Sequence, residues 1–471
     1  MRPQYTLNLK SSFKCLAVAL ATASLFSACS RRTIYEAPAV YSFKGKGMMP
    51  PPGMVYVPSG TIMYKSSTDD EGLTKRVSLS PFFIDATEVT NKQYAEFVNW
   101  VADSIAVTDY LKDEAYFLSP TKKNPEMLVK LINWEKVRGR DDIPLWLSTD
   151  SAIYSKLKGS LVVEEKGKKV LNPELVKYAL TYQQTGGNNK NEFMTENIKA
   201  LPERNIWSAD FPNSQMSFMN ANYYGHRSYD NYPVVGVTWK QARAYADWRG
   251  KATAQMLNRN AYLKNYQLTF TLPTEAQWQY AASGVRHPEE APENTNAVMT
   301  YSGGRGKGKN DRKLLVNFKQ DEGNYTLDGS TFTLPVKSYS SNGFGLYNMA
   351  GNVAEWTLDA YSVSAVEFVH DLNPVLVYDA SDSDPDVMKR KVVRGGSWKD
   401  NAELLNKDTR SFEIQDAAHS YIGFRCVMPA PELLSEQVRT RKIQAPPSKS
   451  VKSVKAGRAS RPTENVATKA E

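Results

Sequence analysis

Cysteine is scarce in this chain: 471 residues carry three, Cys15, Cys29 and Cys426. So few thiols exclude a disulfide scaffold, and the body must owe its stability to packing, metal or partners. Histidine is nearly as rare. The four residues, His226, His287, His370 and His419, include no pair at the spacing by which one helix face offers two imidazoles to a metal. The apolar run at 15–26, CLAVALATASLF, falls short of the roughly 20 residues that cross a bilayer as a helix. There is no glycine-rich phosphate loop ahead of a helix and no G-x-S-x-G elbow. The net charge of +9 is not spread along the chain. Arg2, Lys10 and Lys14 stand alone in the first 28 residues, and residues 439–471 hold nine Lys or Arg against two Glu. Almost no basic excess is left between, which excludes a nucleic-acid groove.

What is present is ordinary in bulk and distinctive in detail. The hydrophobic share of 41% and charged share of 23% are those of a folded soluble body. The length suits one large domain or two to three ordinary ones. Abundant aromatics, 26 Tyr and 9 Trp, with Gly and Pro throughout, point to an irregular, loop-rich body rather than a helical bundle.

The N-terminus has a basic segment, an apolar stretch and small residues before Cys29, the pattern of a secretory signal peptide at 1–28. Phe26-Ser27-Ala28-Cys29 resembles the lipobox of bacterial lipoproteins, which implies acylation of Cys29 after cleavage. Two or more acyl chains suffice for stable anchoring. Ser30 in place of Asp, with no acidic run behind it, favours the periplasmic face of an outer membrane. Residues 29–52 read as a polar, proline-containing tether, 53–430 as the folded domain, and 431–471 as a basic, disordered tail.

Within the domain, MVYVPSG (54–60) and VSLSPFFID (77–85) read as strands. Thr90 caps a helix whose apolar stripe is Tyr94, Phe97, Val98 and Val101. Residues from about 103 to 230, with mixed charge and Asn-Gly clusters, read as an insertion. YPVVGVTW (232–239) reads as a buried strand leading into a helix that ends at Gly250. Thr274 caps another helix, and IGFRCVM after Tyr421 reads as a last apolar strand. Cys426 in that strand reads as a packed core thiol.

The order of these segments carries more than any one of them. MVYVPSG, FFIDATEVTNKQYAEF, YPVVGVTWKQARAYADW, LPTEAQWQYAA, NGFGLYNMAGNVAEW, VVRGGSW and IGFRC together resemble the formylglycine-generating enzymes and their sulfatase-modifying-factor relatives. The resemblance implies an irregular α+β fold related to C-type lectins, here carrying a long insertion. Enzymes of that family bind copper through two cysteines shortly after RGGS. Here RGGS is Arg394–Ser397, and the matching positions are Asp400 and Leu405. Neither supplies a thiolate, so no copper oxidase chemistry is expected. Iron, used by another branch through histidines, is not expected either.

The same resemblance implies calcium. Asn348, Gly351, Val353 and Glu355 match one calcium loop of the family; Asn317, Phe318 through its carbonyl, Asp328 and Ser330 match a second. The other reading of the first loop is that Asn352 and Glu355 satisfy turn amides beside Trp356. Either role is structural.

One branch is closer. The run Glu96–Ile105, EFVNWVADSI, together with the lipobox, the tether and the insertion, resembles the GldK/PorK-type lipoproteins of gliding motility and type IX secretion. That likeness implies a non-catalytic outer-membrane lipoprotein forming a large homo-oligomeric ring with a periplasmic partner of the PorN/GldN kind and with other secretion components. A GldJ-like sister and a peptide- or glycan-binding envelope module remain open alternatives. Trp134, Trp146, Trp207, Tyr223 and Tyr224 of the insertion are candidate partner contacts, or else a small core beneath it.

Overall fold

The structure is a computed structural model describing residues 50–65, 74–118, 131–139, 142–165, 167–185, 192–257, 269–285, 316–320, 323, 325–326 and 329–430. The leader, Cys29, most of the tether, His287, Asp328 and the tail lie outside the described residues. Among the described residues no helix is long and apolar enough to cross a membrane.

Mixed helices and small sheets make up the domain. Strand β4 (Phe82–Asp85) lies between β1 (Met54–Val57) and β13 (Val427–Pro429), antiparallel to both, so the two ends of the domain share one sheet. A four-stranded sheet runs in the order β11 (Ser411–Ile414), β10 (Arg390–Arg394), β9 (Ala354–Ala360), β12 (Ile422–Gly423). The strands β2 (Gly60–Lys65) and β3 (Thr74–Leu79) form a separate hairpin.

Local chemistry sets the helix starts. Helix α1 (Asn91–Ile105) begins at Thr90, whose hydroxyl accepts from Gln93 N–H while the Gln93 side chain takes the Thr90 N–H. That reciprocal pair satisfies two donors that a helix start leaves free. Tyr94, Phe97, Val98 and Val101 are buried on one face as their spacing requires. The helix continues into a π-helical turn, Ala106–Leu111, so its path crosses residue 103, where the insertion was expected to begin.

The insertion has structure of its own: helices α2 (Trp134–Arg138), α3 (Ser151–Leu157), α4 (Ile206–Asp210) and α5 (Ser217–Asn222), and the hairpins β5 (Val162–Glu165) with β6 (Lys168–Leu171) and β7 (Lys177–Gln183) with β8 (Phe193–Lys199). It is fastened to α1. Trp134 stacks on Trp100 with centroids 5.0 Å apart, Trp146 Nε1 donates to Asn99 Oδ1 at 2.9 Å, and Arg138 Nε lies 2.6 Å from the buried Asp103 carboxylate. Leu145, Leu157, Val162, Tyr178 and Leu180 then join the same apolar core as α1 and Phe424.

Four expectations need correction. The stretch 77–85 is divided between β3, which ends at Leu79, and β4, which starts at Phe82 in another sheet. Residues 232–239 are not a strand. They are buried but irregular, because Gly236 takes φ +73° and a side chain there would meet Glu203 O at 2.5 Å. Isolated bonds hold the segment instead, such as Val234 N–H to Val89 O at 2.8 Å. Helix α6 (Trp239–Leu257) does not end at Gly250. Its neighbours are tied down, Arg249 to Asp85 and Lys251 to Asp247, each at 2.6 Å, which outweighs the roughly 1 kcal/mol that a helical glycine costs. The final apolar strand is two short pieces, β12 and β13, serving different sheets. By contrast, α7 (Glu275–Ser283) starts at Thr274 with a full capping box to Gln277, as its sequence predicts.

Candidate functional site

The loop after β10 carries RGGS and the two positions expected from the resemblance to match the family's cysteines, Asp400 and Leu405. Gly395 and Gly396 both take positive φ, and a side chain at 396 would strike Leu404 O at 2.8 Å and Leu405 Cδ2 at 2.9 Å. Only glycine lets the loop fold back so closely. Ser397, fully buried, donates from Oγ to Asp400 Oδ2 at 2.7 Å, and Lys399 Nζ lies 2.8 Å from Asp400 Oδ1. Asp400 is thus a salt-bridged turn carboxylate. Leu405 is fully buried against Val316, Phe318 and Ala350. Aromatic rings close the other side, with Phe211 at 5.3 Å, Phe332 at 5.3 Å and Trp207 at 5.8 Å from Trp398.

Trp207 belongs to α4 of the insertion, and the end of that helix is clamped. Asp210 accepts from Ser420 N–H at 2.6 Å and Ser420 Oγ at 2.7 Å, and pairs with His419 Nδ1 at 2.8 Å. His419 Nε2 lies 3.2 Å from Glu413. Burial opposes a charge on the imidazole, but the hydrogen bonds to Asp210 and Glu413 outweigh it and hold the pKa up at about 9. His226 and His370 each accept a nearby backbone N–H.

Trp207 and Tyr223 are 1% and 2% exposed, so of the two readings open for them, partner contact or a small core beneath the insertion, they take the core placement. Trp134, Trp146 and Tyr224 are half-buried. With Trp134 on Trp100, Trp146 on Asn99 and the Tyr224 ring edge-on to Tyr94, these residues hold the insertion to the domain.

The expected calcium ligands are brought together in part. Asn317 Nδ2 reaches Phe332 O at 2.8 Å and Asn352 Oδ1 at 3.2 Å, and Ser330 Oγ reaches the same Phe332 O at 3.0 Å. Phe318 lies against Leu405. Gly351 packs onto Asn317, where a side chain would meet the Asn317 carbonyl at 2.3 Å, so the two loops adjoin. Val353 is buried between them and the Trp398 cluster.

Glu355 does not fit the ligand role in this arrangement. Arg425 grips both its oxygens, at 2.6 and 2.7 Å, and Trp278 Nε1 donates to it at 2.8 Å. A carboxylate neutralised by a bidentate guanidinium has little to offer a dication. Glu88 is the better candidate, and sequence reasoning missed it. It is fully buried, and its side chain accepts from carboxamide groups: Asn352 Nδ2 at 2.8 Å and Asn348 Nδ2 at 3.1 Å. Burial pushes its carboxyl up to about 7 against the pull of Arg425, with Glu355 adding to the rise. The signal in sequence was a pair of acids, Asp85 and Glu88, inside the largely apolar stretch FFIDATEV.

Among the described residues no three His, Cys, Asp or Glu side chains converge on one point. A calcium ion near Glu88 would need main-chain carbonyls such as Leu334 O and Val336 O, toward which Asn352 and Asn348 now turn their Nδ2 groups, while Asn352 Oδ1 accepts from Leu334 N–H and Asn317 Nδ2. The oxygens there are of the kind calcium favours, and binding would require both carboxamides to turn their oxygens inward.

Comparison with known proteins agrees with this layout. Residues 42–430 match the sulfatase-modifying factor enzyme 1-like domain. The formylglycine-generating enzyme of Thermomonospora curvata is 26% identical over 398 residues, covering 79% of this chain and 92% of that protein. That of Streptomyces coelicolor is 32% identical over 205 residues, 42% of this chain and 54% of its own length. The inactive C-alpha-formylglycine-generating enzyme 2 of Bos taurus is 30% identical over 212 residues, 44% of this chain and 53% of its own length.

Proposed function

This chain belongs to the sulfatase-modifying factor enzyme 1-like family, and from that premise we propose that it is a non-catalytic scaffold of a bacterial envelope. In this reading it is a lipoprotein anchored through Cys29 to the periplasmic face of the outer membrane. It serves as a ring-forming subunit of the type IX secretion and gliding machinery, with a PorN/GldN-like partner. The lectin-type kinship of the fold would supply its irregular, loop-built surface.

The observation that carries the non-catalytic part is the chemistry at two positions. Where the family's enzymes place thiolates, Asp400 is bound by Ser397 and Lys399, and Leu405 is core. Cys426, the only free thiol among the described residues, is fully buried and burial drives its pKa well above the usual thiol range. The secretion role is supported by the likeness of Glu96–Ile105 to the GldK/PorK branch.

The test is to purify the lipidated chain from envelopes through a C-terminal tag and measure the mass of the complex. A megadalton-scale ring holding a second periplasmic protein is the expected result; a lone monomer in gentle detergent rejects the scaffold. Copper-dependent conversion of a cysteine-containing sulfatase peptide, abolished by Asp400→Ala, would reject the non-catalytic part alone. A second reading, a peptide- or glycan-binding module, draws support from the half-buried Phe211, Tyr325 and Phe332 around Trp398. Mass spectrometry of co-purified material separates it from the first: a small peptide or sugar in stoichiometric amount favours the module.

A further inference from the structure

The edge of a sheet attracts further strands, and folded proteins cover or blunt it. Several edges in this domain are treated that way. At β3, Ser78 N–H donates to Asp371 O at 2.7 Å and Ser78 O accepts from Asn373 N–H at 2.8 Å. At β11, Ile414 N–H donates to the Glu413 carboxylate at 2.8 Å, and Ile414 O accepts from Ala417 N–H at 2.9 Å. At β13, Val427 exchanges main-chain bonds with Thr271 at 2.8 and 3.0 Å.

Strand β8 is different. In the β7–β8 hairpin Gln184 N–H donates to Glu192 O and Ala200 N–H to Val176 O, each at 2.9 Å, so the even-numbered residues exchange the main-chain bonds. Antiparallel alternation then turns the N–H and C=O of Phe193, Thr195 and Asn197 away from β7. Among the described residues nothing else takes these groups up. The open stretch ends at the base of the hairpin, where Gln241 Nε2 donates to Lys199 O at 2.9 Å. On the opposite flank Thr185 is already paired with Asp379, through Thr185 N–H to the carboxylate at 3.0 Å and Asp379 N–H to Thr185 O at 2.8 Å. Phe193, Thr195 and Asn197 are all exposed, and Phe193, at 76%, is the most exposed large apolar side chain among the described residues.

We infer that β8 pairs with β8 of a second copy of this chain, antiparallel about a two-fold axis at Thr195. The open stretch sets the register. Centred on Thr195, Phe193 meets Asn197 of the second copy and Thr195 meets its own counterpart, each pair exchanging both main-chain bonds. A register shifted toward the base would need Lys199 O, which Gln241 holds. The side chains are self-complementary in this register. The Thr181 and Thr195 hydroxyls already pair at 2.9 Å, and a Thr195–Thr195 contact extends them into a ladder over four strands, a favourable kind of cross-strand pair. On the other face Met194 stands opposite Glu196 of the second copy, and Glu196 is already neutralised by Lys240 at 2.8 Å. No charge opposes a like charge between 193 and 197. A two-fold contact of this kind closes on itself, so it joins chains in pairs and depends on neither the ring nor the anchor of the proposed function.

The test uses the full lipidated chain, purified alone in gentle detergent, with Thr195→Cys or, as a control, Thr181→Cys on the neighbouring strand. Across the axis the 195 positions stand about 5.5 Å apart, within disulfide reach, whereas the 181 positions stand about 14 Å apart. Buried Cys426 takes no part. Under mild oxidation the disulfide-linked dimer should form about tenfold faster through position 195 than through 181; equal rates overturn the inference. Thr195→Pro then removes an outward N–H that the hairpin does not use, a substitution sheet edges tolerate. It should lower the protein mass in solution about twofold, to that of one chain, at an unchanged melting temperature. Where proline lowers the melting temperature, Thr195→Lys replaces it, setting like charges against each other at the axis. A mass equal to that of the wild type, in a variant that melts like the wild type, overturns the inference, including the case in which a strand of another protein takes the edge. Because the chain is measured without partners, loss of this contact and loss of the ring in envelopes are separate results.

Discussion

Glu88 is a carboxyl in a place that favours the neutral acid. Burial raises it to about 7, and Asp359, fully buried under the backbone amides of Glu275 and Leu376, is likewise pushed up to about 7, first by burial and then by Glu275. Both pKa values stand above those of the unfolded chain. Their contribution to stability is therefore complete below about pH 4 and is lost as pH rises through 7. For Glu88 alone the shift corresponds to about 3 kcal/mol in order of magnitude. Glu88→Gln should flatten the fall in melting temperature between pH 5 and pH 8 in calcium-free buffer. Added calcium should raise the melting temperature of the wild type at pH 8 and leave the glutamine variant unmoved. A wild type indifferent to both calcium and chelator would remove calcium from this site.

At the scale of elements, α4 matters more than its five residues suggest. It brings Trp207 against Trp398 and ends in the Asp210 clamp, so the insertion is closed over the RGGS loop at one point. Asp210→Ala removes the acceptor of Ser420 and one of the two carboxylates beside His419, and should cost about 1–3 kcal/mol, read as a lower denaturant midpoint at pH 7. The His419 pKa, raised to about 9, contributes stability below its ordinary value that is lost as pH rises through 9, and the alanine variant, with Glu413 still in place, should lack part of that alkaline decline. Elements such as α1 and α7 were legible because their signals are local: Thr90 with Gln93 and Thr274 with Gln277 lie three residues apart, and the stripe Tyr94, Phe97, Val98, Val101 follows one turn. The 232–239 segment misled because an apolar run looks the same whether it is paired in a sheet or threaded singly through a core. Gly250 misled because the ties of Arg249 and Lys251 override a local stop signal. At the site, the RGGS run, Arg394–Ser397, could be read directly. The Arg425–Glu355 pair could not, since its partners stand 70 residues apart and no spacing rule links them. Glu88 and Asn352, 264 residues apart, are further still beyond local pattern.

For the molecule as a whole, the insertion is not an appended module. Leu157, Val162, Tyr178 and Leu180 share one core with Tyr94, Phe97, Trp248 and Phe424. Calorimetry should therefore record a single cooperative transition in which insertion and domain melt together; two resolved transitions would show that the shared core does not couple them. The sheet β1-β4-β13 carries a consequence in time. Ile84 faces Val427 across that sheet, so a strand near the start of the domain waits for one near its end. Such pairing closes a very long loop and belongs to the slow end of folding. A chain leaving a ribosome or a translocation channel cannot complete its first sheet until almost all of the domain has emerged. During that interval β4, with all four of its residues destined for burial, lacks its second neighbour. Escorting this chain is a matter of holding it unfinished until its last strand arrives.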